Sequence, residues 1–241
     1  MKNWFINTKA INLENYQGVK ACAHPGLHEE LCNLLAKYVK PGATVLDIGA
    51  GAGALSLRLT DMGYVVEALD IDQTKWVASD IPFRILDINK GLVGSVQSKY
   101  DAVCCVEVIE HVENPWALIR DICSLLKPSG IALVSTPNVT NFLSRLTFLV
   151  TGNFANFGPN FLDIGHINPI HGYEMREILN KLGRTLLVEQ PVGYLPVMDF
   201  GEGMSLARFP YKLAVNVARL VAYLAAGGEV KNGWCKAYVF K

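Results

Sequence analysis

The sequence has no CxxC pair and no metal-type spacing among its six cysteines, Cys22, Cys32, Cys104, Cys105, Cys123 and Cys235. Zinc ribbons and thioredoxin-like redox sites are thereby excluded. Cys104 and Cys105 fall inside an apolar strand-like run, where buried, reduced thiols are expected. An excess of one charge is also missing. Lysine plus arginine number 22, as do aspartate plus glutamate, so a broad nucleic-acid-binding face is not expected. The opening MKNWFINTKAINLEN lacks an apolar core followed by a small-residue cleavage site. No signal peptide is expected, and a reducing cytoplasm is the predicted compartment. The apolar stretch LAVNVARLVAYLAAG at 213–227 is interrupted by Asn216 and Arg219 and falls short of the roughly 20 residues that span a bilayer. It reads either as a packed or lid helix or as a surface meeting lipid or an apolar substrate. Internal repeats and low-complexity tracts are absent.

What is present describes a globular chain: 51% of its 241 residues are hydrophobic and 18% charged, enough for one sizeable core in a single domain. Helical and strand-like segments alternate. Residues 26–39 place Leu31, Leu34, Leu35 and Tyr38 on one helical face, stopped by Pro41 and Gly42. Strands are predicted at 44–48, 65–70, 83–86, 101–108, 131–136, 185–190 and 234–240. Helices are predicted at 54–62, about 115–127 and 173–182. This alternation predicts a doubly wound, mostly parallel seven-stranded sheet with helices on both faces. Ligands of such sheets bind beyond the carboxyl ends of the strands. Asp47, Asp70, Asp87, Glu107 and Asn138 all fall at those ends. The chain divides into an N-terminal helical cap (1–40), a ligand-binding core (41–137) and two cover segments (138–172 and 191–233). The first cover segment reads as irregular. Its rings, among them Phe142, Phe148, Phe154, Phe157 and Phe161, suit either an apolar cover or the domain's own core.

The run VLDIGAGAG at 45–53 brings an apolar strand into a glycine-rich turn, a place where backbone N–H groups and a helix N-terminus meet a ligand. Gly49, Gly51 and Gly53 permit the sharp turn. With Ala54 the run also satisfies the dinucleotide template, so an NAD-type dehydrogenase is a competing reading. Three acids separate the two. Asp47 can accept from an ammonium group, which NAD lacks. Asp70 can take both hydroxyls of a ribose, and Asp87, with the N–H of Ile88, suits an adenine. The ligand so described has an amino acid at one end and an adenosine at the other, as S-adenosyl-L-methionine does.

The sequence also resembles the class I S-adenosylmethionine-dependent methyltransferases over nearly all of 24–190. The motifs are VLDIGAGAG (45–53), EALDID (67–72), LDIN (86–89), YDAVCCVEVIEHVENP (100–115), LLKPSGIALVSTPN (125–138) and GHINPIHGYEMREILNKLG (165–183). They are similar to the branch holding the ubiquinone-biosynthesis O-methyltransferase and related bacterial small-molecule methyltransferases. The resemblance implies a Rossmann-like fold, S-adenosyl-L-methionine as donor and S-adenosyl-L-homocysteine as product. It places cofactor contacts at Asp47, Gly49, Ala50, Gly51, Gly53, Asp70, Ile71, Asp87, Ile88 and Glu107. The implied acceptor is a small molecule, methylated at oxygen. No NPPY- or DPPY-type block follows the fourth strand, which disfavours amine acceptors of the kind those blocks mark.

A hydroxyl nucleophile benefits from a positioned base, and His111 and His166 are the candidates, ahead of His171. His111 reads equally as a loop anchor. Glu107, Glu110, His111 and His166 further resemble the metal-binding set of the plant small-RNA methyltransferase. A divalent ion there would bind a diol or catechol and lower its pKa. A third reading keeps the cofactor site without turnover, as a non-catalytic S-adenosylmethionine-binding protein.

Overall fold

A computed structural model of the chain describes residues 15–195, 209–225 and 233–241. One sheet holds β1 (Thr44–Ile48), β2 (Val65–Asp70), β3 (Phe83–Ile85), β4 (Tyr100–Val106), β5 (Leu126–Pro137), β6 (Leu186–Val192) and β7 (Cys235–Phe240). The strand order is β3-β2-β1-β4-β5-β7-β6. All neighbours run parallel except β7, which inserts antiparallel between β5 and β6. This is the doubly wound, mostly parallel seven-stranded sheet that the alternation predicts. The order reverses between β1 and β4, and the crevice at that switch is where such folds take ligands.

The period of two along a strand sorts side chains to the two faces. Val45, Ala102 and Cys104 pack under α1 (Leu27–Leu35) and α2 (Ala54–Asp61), with Leu31, Leu55 and Leu59. Leu46, Ile48, Val103 and Cys105 pack on the other face, under α3 (Pro115–Leu125) and α5 (Gly172–Lys181), with Ile119, Ile122 and Ile178. Asp47 shares Val45's face, so the β1 pleat itself delivers this carboxylate beneath α2. Burial on both faces explains why β4 reads as a continuous apolar run.

Local signals set the ends. Asn114 caps α3 by accepting from the Ala117 N–H at 3.0 Å, with Pro115 in the first turn. Two boundaries differ from expectation by more than two residues. The first helix ends at Leu35 rather than at 39, because residues 36–39 close with turn-type bonds before Pro41. The fifth strand starts at Leu126 rather than 131, because Leu126 pairs with Tyr100 across a register shift that accommodates Pro128–Gly130.

The cover segment 138–172 is more regular than its sequence predicts. It contains α4 (Phe142–Thr151) and a 3₁₀ stretch, Pro159–Ile164. Asn141 caps α4 through the Ser144 N–H at 2.7 Å, and Gly152 ends it in the left-handed region. FLSRLTFLVT carries apolar groups around most of the helix, so no amphipathic period announced it. Beside α4 lies α6 (Phe209–Ala225). The Phe142 ring meets Tyr223 edge-on at 5.8 Å, and the Arg219 guanidinium lies over the same ring. Of the stretch 213–227, residues 226 and 227 lie outside the described residues, as do 1–14 of the N-terminal cap and 196–208 of the second cover. Among the described residues, no helix is long and apolar enough to cross a membrane.

Candidate functional site

Each turn glycine answers a separate constraint. Gly49 has φ +73°, and a Cβ there would lie 2.3 Å from the Val108 side chain. Gly53 has φ +98° and would meet Ala78 at 2.9 Å. The N–H groups of the turn are not offered to a ligand as the sequence suggests. Gly49 and Ala50 both donate to the Leu69 carbonyl, and Gly53 donates to that of Ala50. Gly51 donates to Asp70 Oδ2 at 2.8 Å. With four donors spent internally, the turn supplies shape and a carboxylate rim rather than a phosphate cradle, which removes the main support for a dinucleotide.

The turn opens into a cavity whose lining includes Asp47, Gly49, Ala50, Gly51 and Glu107. The Asp47 carboxyl is buried and accepts from the Ser56 hydroxyl at 2.6 Å. Burial pushes its pKa up from 3.8 to about 7, the Asp70 charge adds to the rise, and the Ser56 bond opposes it. Asp70 accepts from Gly51 and, through Oδ1, from the Asp72 N–H at 2.9 Å. It therefore ties the turn to the end of β2 while keeping lone pairs for a ligand. Ile71 follows as an exposed apolar side chain. Asp87 opens a short 3₁₀ turn through the Asn89 N–H, with Ile88 next in it. Asp70, Ile71, Asp87 and Ile88 thus stand at the ends of β2 and β3, and of the four only Asp70 is tied to the cavity lining, through its bond from Gly51.

The polar lining residues that the sequence reading did not single out as site residues are Lys20, Cys22 and His28. His28 sits three residues before Leu31 and seven before Leu35, on the apolar stripe of α1, and that placement was the available signal. It is buried, and desolvation lowers its pKa to about 4, with Arg58 pushing the same way.

Glu107 links this cavity to a second cluster. It is a non-glycine residue at φ +56°, immediately after β4, a conformation that needs support from its surroundings. Its N–H donates to the Ser135 carbonyl, Oε1 accepts from the Ser135 hydroxyl at 2.8 Å, and Oε2 accepts from the Cys235 thiol at 3.0 Å. Burial raises its pKa, while the thiol and hydroxyl bonds oppose the rise. Sequence gave no hint of Cys235 as its partner, since the two lie 128 positions apart.

Beyond it, Glu110, His111 and His166 bring one candidate ligand atom each within 4.8 Å of one another. The Glu110 side chain is fully buried, and neither carboxyl oxygen accepts a hydrogen bond. Burial and the neighbouring Glu107 charge hold its pKa well above the usual carboxylate range. The His166 Nδ1 lies 2.8 Å from the Asn156 carbonyl, so Nδ1 carries the proton and Nε2 is left as a lone-pair donor. Desolvation lowers the pKa of both histidines, keeping them neutral, the state that a metal ligand or a base requires. A buried carboxyl without a hydrogen-bond donor, beside two neutral imidazoles, fits a divalent cation, which would displace its proton. Glu107 is not part of this group, since Ser135 and Cys235 occupy its oxygens. Rings enclose the histidines: Phe157 and Phe161 stand 5.5 and 6.2 Å from His166, and Phe154 stands 5.4 Å from His171.

A parallel sheet with a glycine turn at its switch point and carboxylates along the strand ends defines a nucleoside-binding α/β domain. Within that class the chain belongs to the methyltransferase domain family, whose model matches residues 23–188. It is 37% identical over 114 residues to the ubiquinone biosynthesis O-methyltransferase of Xanthomonas campestris pv. campestris (strain B100), covering 44% of this chain and 47% of that one. It is 32% identical over 145 residues to the enzyme of the same name from Rickettsia bellii (strain OSU 85-389), covering 56% and 60%. The chain thus spans about half the length of the curated relatives it matches. Among solved structures it superposes on a SAM-dependent methyltransferase from Archaeoglobus fulgidus with a TM-score of 0.60 at 19% identity, covering 89% and 94%. A magnesium protoporphyrin IX methyltransferase from Synechocystis PCC 6803 with bound SAH gives a TM-score of 0.55 at 19% identity, covering 89% and 80%. These likenesses agree on the fold.

Proposed function

We propose that the protein transfers the methyl group of S-adenosyl-L-methionine to an oxygen of a small-molecule acceptor and releases S-adenosyl-L-homocysteine. The observation that carries this reading is the buried Asp47 carboxyl at a turn in which the N–H groups of Gly49, Ala50, Gly51 and Gly53 are already spent. Such a site repels a pyrophosphate and suits an ammonium. The ligand's carboxylate falls to Lys20 and His28, and its ribose to Asp70. Asp87 and the Ile88 N–H take the adenine, against the side chain of Ile71. The cofactor belongs to 41–137, and the acceptor lies under the segments 138–172 and 191–233.

In the reaction an acceptor oxygen lone pair forms a bond to the methyl carbon as the carbon–sulfur pair returns to sulfur. The protein's main contribution is alignment, worth about 7–11 kcal/mol for well-oriented reactants. With no ion bound, the hydroxyl proton passes to a neutral imidazole, His111 or His166; an imidazole that ligates a metal has no lone pair left for that proton. A divalent ion held by Glu110, His111 and His166 would supply Lewis acidity that lowers the pKa of an acceptor hydroxyl, and the two imidazoles favour zinc or manganese over magnesium. The ring-lined surroundings of His166 suit a partly apolar acceptor, and no nucleic acid is required. Six free cysteines accord with a cytoplasmic working place. Lipid contact through 213–227 is independent of this reading.

The test is calorimetric titration with S-adenosyl-L-methionine and with NAD, followed by release of S-adenosyl-L-homocysteine from a panel of phenols, sugars and carboxylic acids. Binding of NAD alone would defeat the proposal. Tight cofactor binding with no turnover across the panel would favour a non-catalytic binding protein.

A further inference from the structure

Helix α6 is amphipathic in the wrong sense for a helix facing water. Asn216 and Arg219 are turned inward and buried, with Arg219 over the Phe142 ring. The outward positions are Leu213, Val217, Val221 and Leu224, exposed by 45, 52, 60 and 66%. Their spacing of four, four and three residues keeps them on one face. The exposed positions between them, 214, 218 and 225, are alanines, so no polar side chain interrupts the stripe. The neighbouring α4 adds Phe148, Leu149 and Val150, of which Leu149 is 82% exposed. Apolar surface concentrated in this way marks a binding surface rather than ordinary exposure.

Charge decides what it binds. The spans of α4 and α6 contain no aspartate or glutamate, and their charged residues are Arg145, Lys212 and Arg219. Arg145 is exposed, with its Nε donating to the Thr140 carbonyl at 2.9 Å. Arg219 is turned inward, so the outer charge is that of Arg145 and Lys212, and an isologous pairing of two copies would set these cations against themselves. An apolar stripe with a basic edge complements an anionic lipid surface.

We propose that the outer face of α6, together with the exposed end of α4, docks the protein peripherally on an anionic bilayer. The helices lie in the plane of the headgroups with their apolar side chains in the acyl boundary. On the proposed function, in which 138–172 covers the acceptor, docking through α4 places that acceptor next to lipid. The docking rests on the helix faces alone and would stand if the methyl-transfer reading failed.

The experiment is flotation of the full chain with vesicles of phosphatidylcholine alone and of phosphatidylcholine mixed with phosphatidylglycerol, at low and high salt. The expected result is recovery with the mixed vesicles, weaker at high salt and weaker still with phosphatidylcholine alone. The double variant Val217→Glu/Val221→Glu, on exposed positions, should lose about tenfold or more in partitioning while keeping its thermal midpoint and its affinity for S-adenosyl-L-homocysteine. Should that variant misfold, Leu149→Glu on α4 offers the same readout. Equal flotation of wild type and folded variants, or no flotation with either vesicle, would overturn the proposal. So would a dimer in lipid-free solution that the same substitutions convert to monomer, which would assign the face to a second copy.

Discussion

Asp47 should make the ligand-free protein less stable than it needs to be. Its carboxyl titrates near 7 instead of 3.8 because it is buried beneath α2 next to the Asp70 charge. Between those two values the native state holds a proton that the unfolded chain has released, so stability declines as pH rises through that window. At roughly 1.4 kcal/mol per pH unit the full penalty is about 4 kcal/mol above pH 7. Asp47→Asn removes the charge, keeps the size and leaves a carbonyl oxygen to accept from Ser56. It should therefore stabilise the ligand-free protein at about pH 8.5, raising the thermal midpoint by roughly 2–4 °C per kcal/mol recovered, and should change little at about pH 4. Ligand binding should respond in the opposite direction. An ammonium needs the ionised carboxylate, so affinity for S-adenosyl-L-homocysteine should weaken up to about tenfold per pH unit below 7, and the Asn variant should bind poorly with a flatter pH profile. Differential scanning fluorimetry across pH, with and without ligand, reads both effects. A variant no more stable than wild type at high pH, or wild-type affinity that does not vary with pH, would refute the reasoning.

Three further outcomes follow from the geometry. Gly49→Ala should cost on the order of 1–3 kcal/mol in a denaturant titration, because its Cβ would meet Val108 at 2.3 Å in a left-handed backbone; Val108→Ala should restore part of the loss. Asp70→Ala should abolish the ligand-induced thermal shift and loosen the turn, since Gly51 and Asp72 both lose an acceptor; an undiminished shift would remove Asp70 from the site. Glu110→Gln should raise the midpoint of metal-free protein, because burial holds this carboxyl well above its usual range, and should eliminate stabilisation by manganese or zinc. Turnover unchanged by both chelator and this variant would rule out a functional metal there.

The parts of the molecule legible in sequence are those fixed by short-range rules. The strand at 44–48, the positive-φ turn after it and the acids at successive strand ends follow from apolar runs, glycines and a register of a few residues. His111 and His166 could be singled out, yet their meeting depends on how the intervening segment, with α3, β5 and α4, folds back on itself. Glu107 reads as a cofactor contact, whereas its left-handed backbone and its bonds to Ser135 and Cys235 are products of tertiary packing. His28 was hidden because a histidine on an apolar helical stripe looks like core. α4 was hidden for the opposite reason, since apolar residues on nearly every side blur the helical period. The buried face of α6 reverses the usual rule, with polar groups inside, and only tertiary contacts display that reversal.

The antiparallel strand β7 has a consequence in time. It is made after every other strand of the sheet, yet it inserts between β5 and β6, and its first residue, Cys235, donates to Glu107. During synthesis, β5 and β6 must wait for the partner that separates them, with Glu107 lacking one of its two side-chain donors. The chain therefore emerges from the ribosome with its sheet unfinished, and β5 and β6 can be joined, and Glu107 given its second side-chain donor, only after residues 235–240 have left the exit tunnel.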